Sequence, residues 1–404
     1  ISIDIGFAAL RCDEDTLIGI VDVPGHERFL KNMLAGTGGI DLTLLVIAAD
    51  EGVMPQTREH FEMLECFGIQ AGLVVITKID KVDVEWLEMV QEEVKEYLEG
   101  TFLSDAPICK VSSVTGEGME ALRQALQEEA AKLVERDRQA PFRLWIDRAF
   151  NLKGQGLIVT GSVLSGAART GDTVILQPER RQVRIREIES HNQSATEVGA
   201  GQRASFNLSG ISLAEVERGM LLSEAGYGQK SRGWDALVHW RKPYPSGTRI
   251  RFHIGTGEFI GRMARAQGFD ARQELVRLYL ERPIVAALGD RGLLRRYSPQ
   301  NLIGGIILLC PAGREKSSRS HLEALADKLG KKDQTGIMYE LLRLSQEPLS
   351  RMEWSARAGF VNKAGVEAAI KINLASGAVK QVGNYYITAA QMSEIQAEIV
   401  KMLA

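Results

Sequence analysis

Two short runs of the sequence carry residue types that can handle phosphate groups and a purine base. The first, VDVPGHE at 21–27, contains the pattern D-x-x-G followed by a histidine, as Asp22, Gly25 and His26. A carboxylate can hold a water molecule on Mg²⁺, and a glycine lets its backbone N–H approach a terminal phosphate because no Cβ obstructs it. The hydroxyl of Ser2 is a second candidate ligand of Mg²⁺.

The second run, TKID at 77–80, predicts that the base is guanine. Asp80 can accept hydrogen bonds from the ring N–H and the exocyclic amine of guanine, which adenine does not present together. Leaving such a carboxylate half-paired costs about 1–3 kcal/mol, so GTP is favoured over ATP. Lys78 can lay its methylene stem along the base. Thr77 completes the pattern [N/T]-K-x-D.

The run VSSVTG at 111–116 is predicted to complete the nucleotide site. Backbone N–H groups near Ser112 and Ser113 can hold the guanine oxygen. Taken singly, each of these motifs is more often an ordinary turn after a strand. Together, in this order and each at the end of an apolar strand, they favour a site for GTP and Mg²⁺.

The elements around these motifs predict a multidomain protein that begins with an α/β GTPase domain. Residues 1–139 alternate apolar strands with amphipathic helices, which predicts a mostly parallel sheet with its ligand at the carboxyl ends of the strands. The phosphate-loop pattern G-x-x-x-x-G-K-[S/T] does not occur anywhere in the chain. We therefore expect an incomplete GTPase domain that begins inside its first switch segment and that is inactive as a GTPase without the phosphate loop. The glycine-rich run IGTGEFIG at 254–261 is predicted to be a hairpin turn instead.

Beyond Pro141 the pattern changes to short strands with glycine turns and later returns to helices. It predicts two small β-barrels and then a winged-helix α+β domain, ordered helix, helix-turn-helix and hairpin. The predicted boundaries are 140–229 and 230–313 for the barrels, 314–333 for a linker, 334–388 for the winged helix and 389–404 for the start of a further winged helix.

Composition excludes several other classes of protein. The 404-residue chain is 45% hydrophobic and 25% charged, with a formal net charge of −3, which is typical of a globular protein and not of a disordered one. Its apolar runs are too short to span a bilayer. The four cysteines have no ligand-pair spacing, so we expect free thiols in a cytoplasmic protein without a membrane partner.

The sequence from 22 to 60, containing DVPGHE and NMLAGTGGID, resembles translational GTPases and most of all the selenocysteine-specific elongation factors of bacteria. The resemblance continues through 146–163, 201–210 and 289–305, so it covers most of the chain. It identifies the chain as a member truncated at both ends. It implies delivery of selenocysteinyl-tRNA to the ribosome at recoded UGA codons, by a monomer that recognises an mRNA hairpin through missing C-terminal winged helices.

The resemblance also implies residue roles. His26 would position the water that attacks GTP, and Asp147, Arg148 and Arg203 would recognise the aminoacyl group. Two guanidinium groups can select a selenolate over the largely neutral side chains of cysteine and serine. Because neighbours on a regular strand face opposite sides, Asp147 and Arg148 can share a pocket only at a strand end or bulge.

Two alternatives remain at this point. One is a translational GTPase that carries an ordinary or initiator aminoacyl-tRNA. The other is a nucleotide-independent RNA-binding scaffold that has lost its phosphate loop.

Overall fold

The computed structural model describes residues 5–12, 17–25, 39–191, 193–242, 244–265, 273–312, 319–345, 347–359 and 363–403.

The first part of the chain forms two separate sheets. Strands β1 (Gly6–Arg11) and β2 (Leu17–Asp22) make an antiparallel hairpin, and β3 (Thr43–Ala48), β4 (Gly72–Thr77) and β5 (Ile108–Lys110) make a parallel sheet with β4 in the centre. The predicted parallel sheet is thus found for β3 to β5. In contrast, β1 and β2 do not pair with β3 in the part of the chain that the structure describes. Strand β4 is buried almost throughout, as expected for an apolar strand in the middle of a parallel sheet.

Three helices connect and cover the parallel sheet: α1 (Pro55–Phe67), α2 (Val84–Leu98) and α3 (Met119–Ala131). Helix α1 begins with a proline and ends at Gly68, whose φ of 76° is the left-handed conformation that glycine adopts readily at a helix end. The side chain of Asp83 caps α2 by accepting a hydrogen bond from the backbone N–H of Trp86. These local signals set where the helices begin and end.

The next part is a barrel of short antiparallel strands, called here the first barrel. Its strands are β6 (Arg143–Trp145), β7 (Arg148–Leu152), β8 (Gly156–Ser165), β9 (Ala167–Arg169), β10 (Thr173–Gln177), β11 (Arg181–Ser190), β12 (Gln193–Ala195), β13 (Glu197–Gly199), β14 (Arg203–Ser209) and β15 (Leu221–Ser223). Pairing between β10 and β11 closes the ring formed by β15, β6, β8 and β14. Strand β7 adds to the edge of β8.

The second barrel is closed by six longer strands. They are β16 (Gln229–Trp240), β17 (Arg249–Ile254), β18 (Gly257–Arg265), β19 (Gln273–Ala286), β20 (Arg291–Arg296) and β21 (Leu302–Pro311). The predicted hairpin at 254–261 is confirmed, because β17 and β18 pair on either side of Gly255 and Thr256. Trp234 and Phe252, both fully buried, fill the barrel interior.

The C-terminal part is helical with a small sheet. Its elements are α4 (Arg319–Gly330), α5 (Gln334–Arg343), β22 (Leu349–Ser350), α6 (Arg351–Ala358), α7 (Lys363–Ala375), β23 (Val379–Val382), β24 (Tyr385–Thr388) and α8 (Ala389–Leu403). The prediction of a linker over 314–333 was wrong, since α4 occupies most of that range. Leu322 and Leu325 of α4 are buried against the neighbouring helices, and the polar run before them hid this apolar spacing. None of the described helices is long and apolar enough to cross a membrane.

Helix α1 lies directly on the second barrel. Met63 of α1 and Leu293 of β20 share a buried cluster, and Arg241 pairs with Glu65. A Cβ built at Gly305 would lie 2.9 Å from the carbonyl oxygen of Cys66, so glycine is required for this close approach. Burial raises the pKa of the Cys66 thiol to about 11.

A larger side chain at position 305 should open this contact. In Gly305→Val we expect faster alkylation of Cys66 by iodoacetamide at pH 8, because exposure returns the thiol pKa toward its ordinary value of about 8.5. The fall from about 11 increases the reactive thiolate fraction by up to roughly 200-fold. Peptide mass spectrometry gives the rate. Gly330→Ala is the control, since a Cβ there meets no atom within 4 Å. Equal rates in the parent chain and Gly305→Val would contradict the predicted opening.

Candidate functional site

The run TKID forms a sharp turn at the carboxyl end of β4. Thr77 ends the strand, and its hydroxyl donates a hydrogen bond to the carbonyl of Ile47, 3.4 Å away on β3. Lys78 has a φ of 58°, a left-handed conformation that is uncommon outside glycine. The chain then enters a short 3₁₀ turn, Ile79–Lys81, which contains Asp80. The turn therefore puts Lys78 and Asp80 at the edge of the sheet where the sequence predicted the base.

The ammonium group of Lys78 is held by acidic residues that follow β3. Its Nζ lies 3.0 Å from Asp50 Oδ1 and 3.1 Å from Glu51 Oε1. Hydrogen bonding to Asp50 and Glu51 raises the pKa of Lys78, and the bond from Lys78 lowers the pKa of Asp50. These groups are exposed, so their pairing contributes little to stability. It does fix the end of the Lys78 side chain above the turn.

The carboxylate of Asp80 is oriented by a buried serine on the neighbouring loop. The Ser112 hydroxyl donates to Asp80 Oδ1 at 2.5 Å and accepts from the backbone N–H groups of Val114 and Thr115 at 3.2 and 3.1 Å. Asp80 Oδ2 has no hydrogen-bond partner among the described residues. One carboxylate oxygen is thus fixed in position, and the other is available to a base.

The predicted role of the Ser112 backbone is corrected by the structure. Its N–H already donates to the carbonyl of Glu117 at 3.0 Å, which closes the loop, so it cannot also hold a guanine oxygen. Ser113 is exposed and stays the candidate for that contact. The hydroxyl bond to Asp80 was missed because sequence spacing does not show which serine of the pair points inward.

The phosphate side of the predicted site is only partly described. Asp22 ends β2 with an exposed side chain. A Cβ at Gly25 would meet no described atom within 4 Å, so packing does not explain this glycine and close approach of a phosphate stays the predicted reason. Ser2 and His26 lie outside the described residues. Among the described residues, no group of three or more His, Cys, Asp or Glu side chains forms a metal site.

Asp147 lies between β6 and β7 and pairs with an arginine of β14. The residue is 8% exposed, and its carboxylate accepts from both terminal nitrogens of Arg203, with Nη2 at 3.0 Å from Oδ1. The Thr160 hydroxyl donates to the same oxygen at 2.6 Å. A buried carboxylate needs such partners because its desolvation is otherwise costly. The pair is therefore a fixed part of the first barrel.

Arg148 and Arg203 meet at a residue that the sequence did not single out. Phe7 of β1 lies beneath both guanidinium groups, with its ring centre 3.4 Å from Arg203 Cζ and 5.5 Å from Arg148 Cζ. Arg148 Nη2 also donates to the carbonyl of Ile5 at 3.0 Å. Arg148 is the first residue of β7, so Asp147 and Arg148 lie at a strand end. This is one of the two positions at which neighbouring residues can share a pocket. No spacing signal marked Phe7, because it belongs to a distant part of the chain.

Sequence profiles of two families match parts of the chain. "Elongation factor Tu GTP binding domain" matches residues 1–132, and "Elongation factor Tu domain 2" matches residues 156–223. The first match covers the predicted nucleotide site. The second covers most of the first barrel, including Arg203.

Individual proteins and solved structures are similar over more of the chain. The selenocysteine-specific elongation factor of Desulfomicrobium baculatum is 39% identical over 85% of this chain and 56% of its own length. A bacterial selenocysteine-specific elongation factor, EF-Sec, matches with a TM-score of 0.85 and 28% identity over 99% of this chain and 66% of that one. Translation elongation factor SelB of Methanococcus maripaludis, in complex with the GTP analogue GppNHp, matches with a TM-score of 0.70 and 25% identity over 80% of this chain and 75% of that one. The chain spans about half the length of the curated relatives that it matches.

The two neighbouring serines provide a matched test of the base-side loop. Ser112→Ala removes one donor and two accepted bonds, so we expect a local loss of about 1–3 kcal/mol and faster amide exchange at Val114 and Thr115. Ser113→Ala removes an exposed hydroxyl and should leave exchange unchanged. Hydrogen-exchange mass spectrometry of residues 111–117 measures both. Equal exchange in the two variants would contradict the bonding described.

Proposed function

We propose that the chain belongs to the selenocysteine-specific elongation factors, to which it is similar over most of its length, and that it binds selenocysteinyl-tRNA and delivers it to the ribosome at recoded UGA codons with hydrolysis of GTP. The observation that carries the proposal is the cluster of Arg148 and Arg203 around Asp147 and Phe7. It lies where β1 of the GTPase part meets the first barrel. We call this cluster the arginine pocket.

The charges of the arginine pocket suit a selenocysteine side chain. Two guanidinium groups lie beside the pocket, and the Asp147 carboxylate is already satisfied by Arg203 and Thr160. A selenol is more acidic than a thiol, whose pKa is about 8.5, so selenocysteine is an anion near neutral pH while serine and cysteine are largely neutral. Arginine stays charged in such a partly buried site. Hydrogen bonds from the guanidinium groups would therefore favour the selenolate.

The nucleotide in this proposal is GTP. Asp80 would accept from the two N–H groups of guanine, with Ser112 holding its carboxylate in position. Lys78 would cover the base, and the Ser113 N–H would meet the guanine oxygen. Gly25 would meet the terminal phosphate, and His26 would position the attacking water.

Mg²⁺ fits the residues on the phosphate side. The Asp22 carboxylate is exposed and has no hydrogen-bond partner among the described residues, so it can bind a metal-held water. Ser2 would supply its hydroxyl. The ion would neutralise phosphate charge when bound.

The C-terminal part is proposed to be a winged helix that acts as a spacer. The order α5, β22, α6, α7, β23 and β24 suits that fold. Its cations are poorly placed for RNA: Arg351 pairs with Glu367, and burial lowers the pKa of Arg357. We propose that an mRNA hairpin is recognised by further winged helices, that α8 begins the next one, and that the protein acts as a cytoplasmic monomer.

Protection of the aminoacyl ester tests tRNA selection. In a fusion that supplies a phosphate loop ahead of residue 1, and with GTP present, we expect the protein to slow deacylation of selenocysteinyl-tRNA at concentrations at least 10-fold below those needed for seryl-tRNA. Arg148→Gln should remove most of this preference, because a bond to a charged group contributes about 1.5–3 kcal/mol. Its side chain is exposed, so the fold should survive. Arg232→Gln, at an exposed arginine of β16, is the control. Equal protection of both tRNAs by the parent chain would contradict the proposal.

Exchange of one carboxylate for an amide tests base recognition. Asp80→Asn replaces an acceptor by a donor, so it should weaken GTP and favour XTP, whose base has a carbonyl in place of the guanine amine. We expect the ratio of GTP to XTP affinity to change by about 10-fold or more, corresponding to roughly 1–3 kcal/mol. Displacement of a fluorescent GTP analogue by GTP, XTP and ATP measures it in the same fusion that supplies a phosphate loop. Asp105→Asn, outside the proposed site, serves as the control. Equal displacement by GTP and ATP in the parent chain would contradict guanine recognition.

A further inference from the structure

The segment that joins the GTPase part to the first barrel carries an arginine that none of the roles proposed above uses. Arg136 lies between α3 and β6, outside any helix or strand. Its Nε lies 2.5 Å from Asp41 Oδ1, and its Nη2 donates to the carbonyl of Ile40 at 3.2 Å. Both acceptors come just before β3 of the GTPase part. Its Nη1 donates to the carbonyl of Leu164 on β8 of the first barrel, 3.4 Å away. One side chain therefore fastens together the two parts that its own segment connects.

The same two parts also touch at Gly39. A Cβ built at Gly39 would lie 2.6 Å from Cβ of Ser162 and 3.9 Å from Cδ2 of Leu164. Glycine allows the chain before β3 to lie this close to β8, because it has no Cβ to collide with Ser162. The backbone contact and the bonds of Arg136 thus act at the same place on β8.

The contacted face of β8 also carries one wall of the arginine pocket. Alternate residues of a strand face the same side, so Thr160, Ser162 and Leu164 share one face. The Thr160 hydroxyl donates to Asp147 at 2.6 Å. Ser162 lies directly opposite Arg203 on β14, and the Cβ atoms of such a pair are about 4.5–5.5 Å apart on one face. A shift of the GTPase part along β8 would therefore be felt at the pocket.

Within the GTPase part, β1 is joined to the segment that Arg136 holds. Leu10 of β1 and Ile18 of β2 pack against the same buried cluster as Leu42 and Leu44, which follow Asp41. Packed interiors have low compressibility and transmit displacement. Movement of the segment at Asp41 relative to β8 would therefore move β1 relative to the first barrel.

We propose that Arg136 is a positioning residue for the arginine pocket. By fastening the GTPase part to β8, it holds β1 where the ring of Phe7 covers Arg203. Parts of a chain that are joined by a linker move relative to each other unless their interface prevents it. The planar guanidinium suits this task because its N–H groups point in fixed directions towards three acceptors. The effect of this positioning on the choice of aminoacyl group rests on the function proposed above.

Fluorine NMR of the intact chain tests the positioning without tRNA or nucleotide. 4-Fluorophenylalanine placed at position 7 instead of Phe7 reports on the contact with Arg203, because a cation over the ring changes the electric field at the fluorine. In Arg136→Gln, we expect the resonance to move at least halfway towards its position in the urea-unfolded chain. Asp41→Asn should move it less in the same direction, since the two carbonyl bonds remain. Circular dichroism checks that each variant is folded.

A neighbouring arginine provides the matched control. Arg138 lies in the same segment and packs on the first barrel, where a Cβ built at Gly199 would collide with its guanidinium. It has no bond to the GTPase part among the described residues. Arg138→Gln removes the same charge and should leave the fluorine resonance in place. An unmoved resonance in folded Arg136→Gln, or equal movement in Arg138→Gln, would overturn the proposal.

The fusion that supplies a phosphate loop links the positioning to aminoacyl selection. In Arg136→Gln we expect the preference for selenocysteinyl- over seryl-tRNA to fall by about 5-fold or more, as for loss of a partly buried contact between a cation and an aromatic ring. GTP affinity should not change, since Arg136 lies away from the nucleotide site. A parent that prefers selenocysteinyl-tRNA beside an equally selective Arg136→Gln would overturn the inference. A parent without preference would instead contradict the proposed function, and the fluorine resonance would still decide whether Arg136 positions Phe7.

Discussion

The buried carboxylate of Asp147 is the constraint on which the arrangement of the first barrel and β1 depends. Its charge is desolvated and must be paired, and its partners come from β8, as Thr160, and from β14, as Arg203. Satisfying it fixes the plane of the Arg203 guanidinium, and that plane is what Phe7 covers. A cation over an aromatic face is a favourable contact in a partly buried site. One charge in the barrel thus sets how β1 is positioned against it.

The second barrel connects the other parts of the chain through its outer surface. On one side α1 packs Met63 against Leu293, with glycine at position 305 allowing the helix to lie close. On another side Leu275 and Leu309 enter the same buried cluster as Trp354 of α6. Each contact joins residues that are distant in sequence, so the second barrel positions both the nucleotide part and the C-terminal helices.

The sequence predicted those features that local pattern determines. The base-side residues follow apolar strands, so Lys78 and Asp80 could be placed at one edge of the sheet before the structure was known. Where a feature depends on tertiary contacts, the sequence-based prediction was either absent or wrong. Phe7 reaches Arg203 from the other end of the chain, the Ser112 hydroxyl rather than its amide serves the site, and α4 stands where a polar linker was predicted. In each case the deciding partner lies on another element.

Strand β1 connects the proposed nucleotide site with the arginine pocket. Ser2, the candidate Mg²⁺ ligand, lies just before Ile5 and Phe7, which contact Arg148 and Arg203. A strand transmits displacement along its length because its backbone is extended and paired, here with β2, whose last residue is Asp22. In the proposed function, loss of the terminal phosphate would release this hairpin at Asp22, which pairs with Gly6. The aromatic floor of the arginine pocket would then shift with the state of the nucleotide, which gives a physical route from GTP hydrolysis to release of the aminoacyl group.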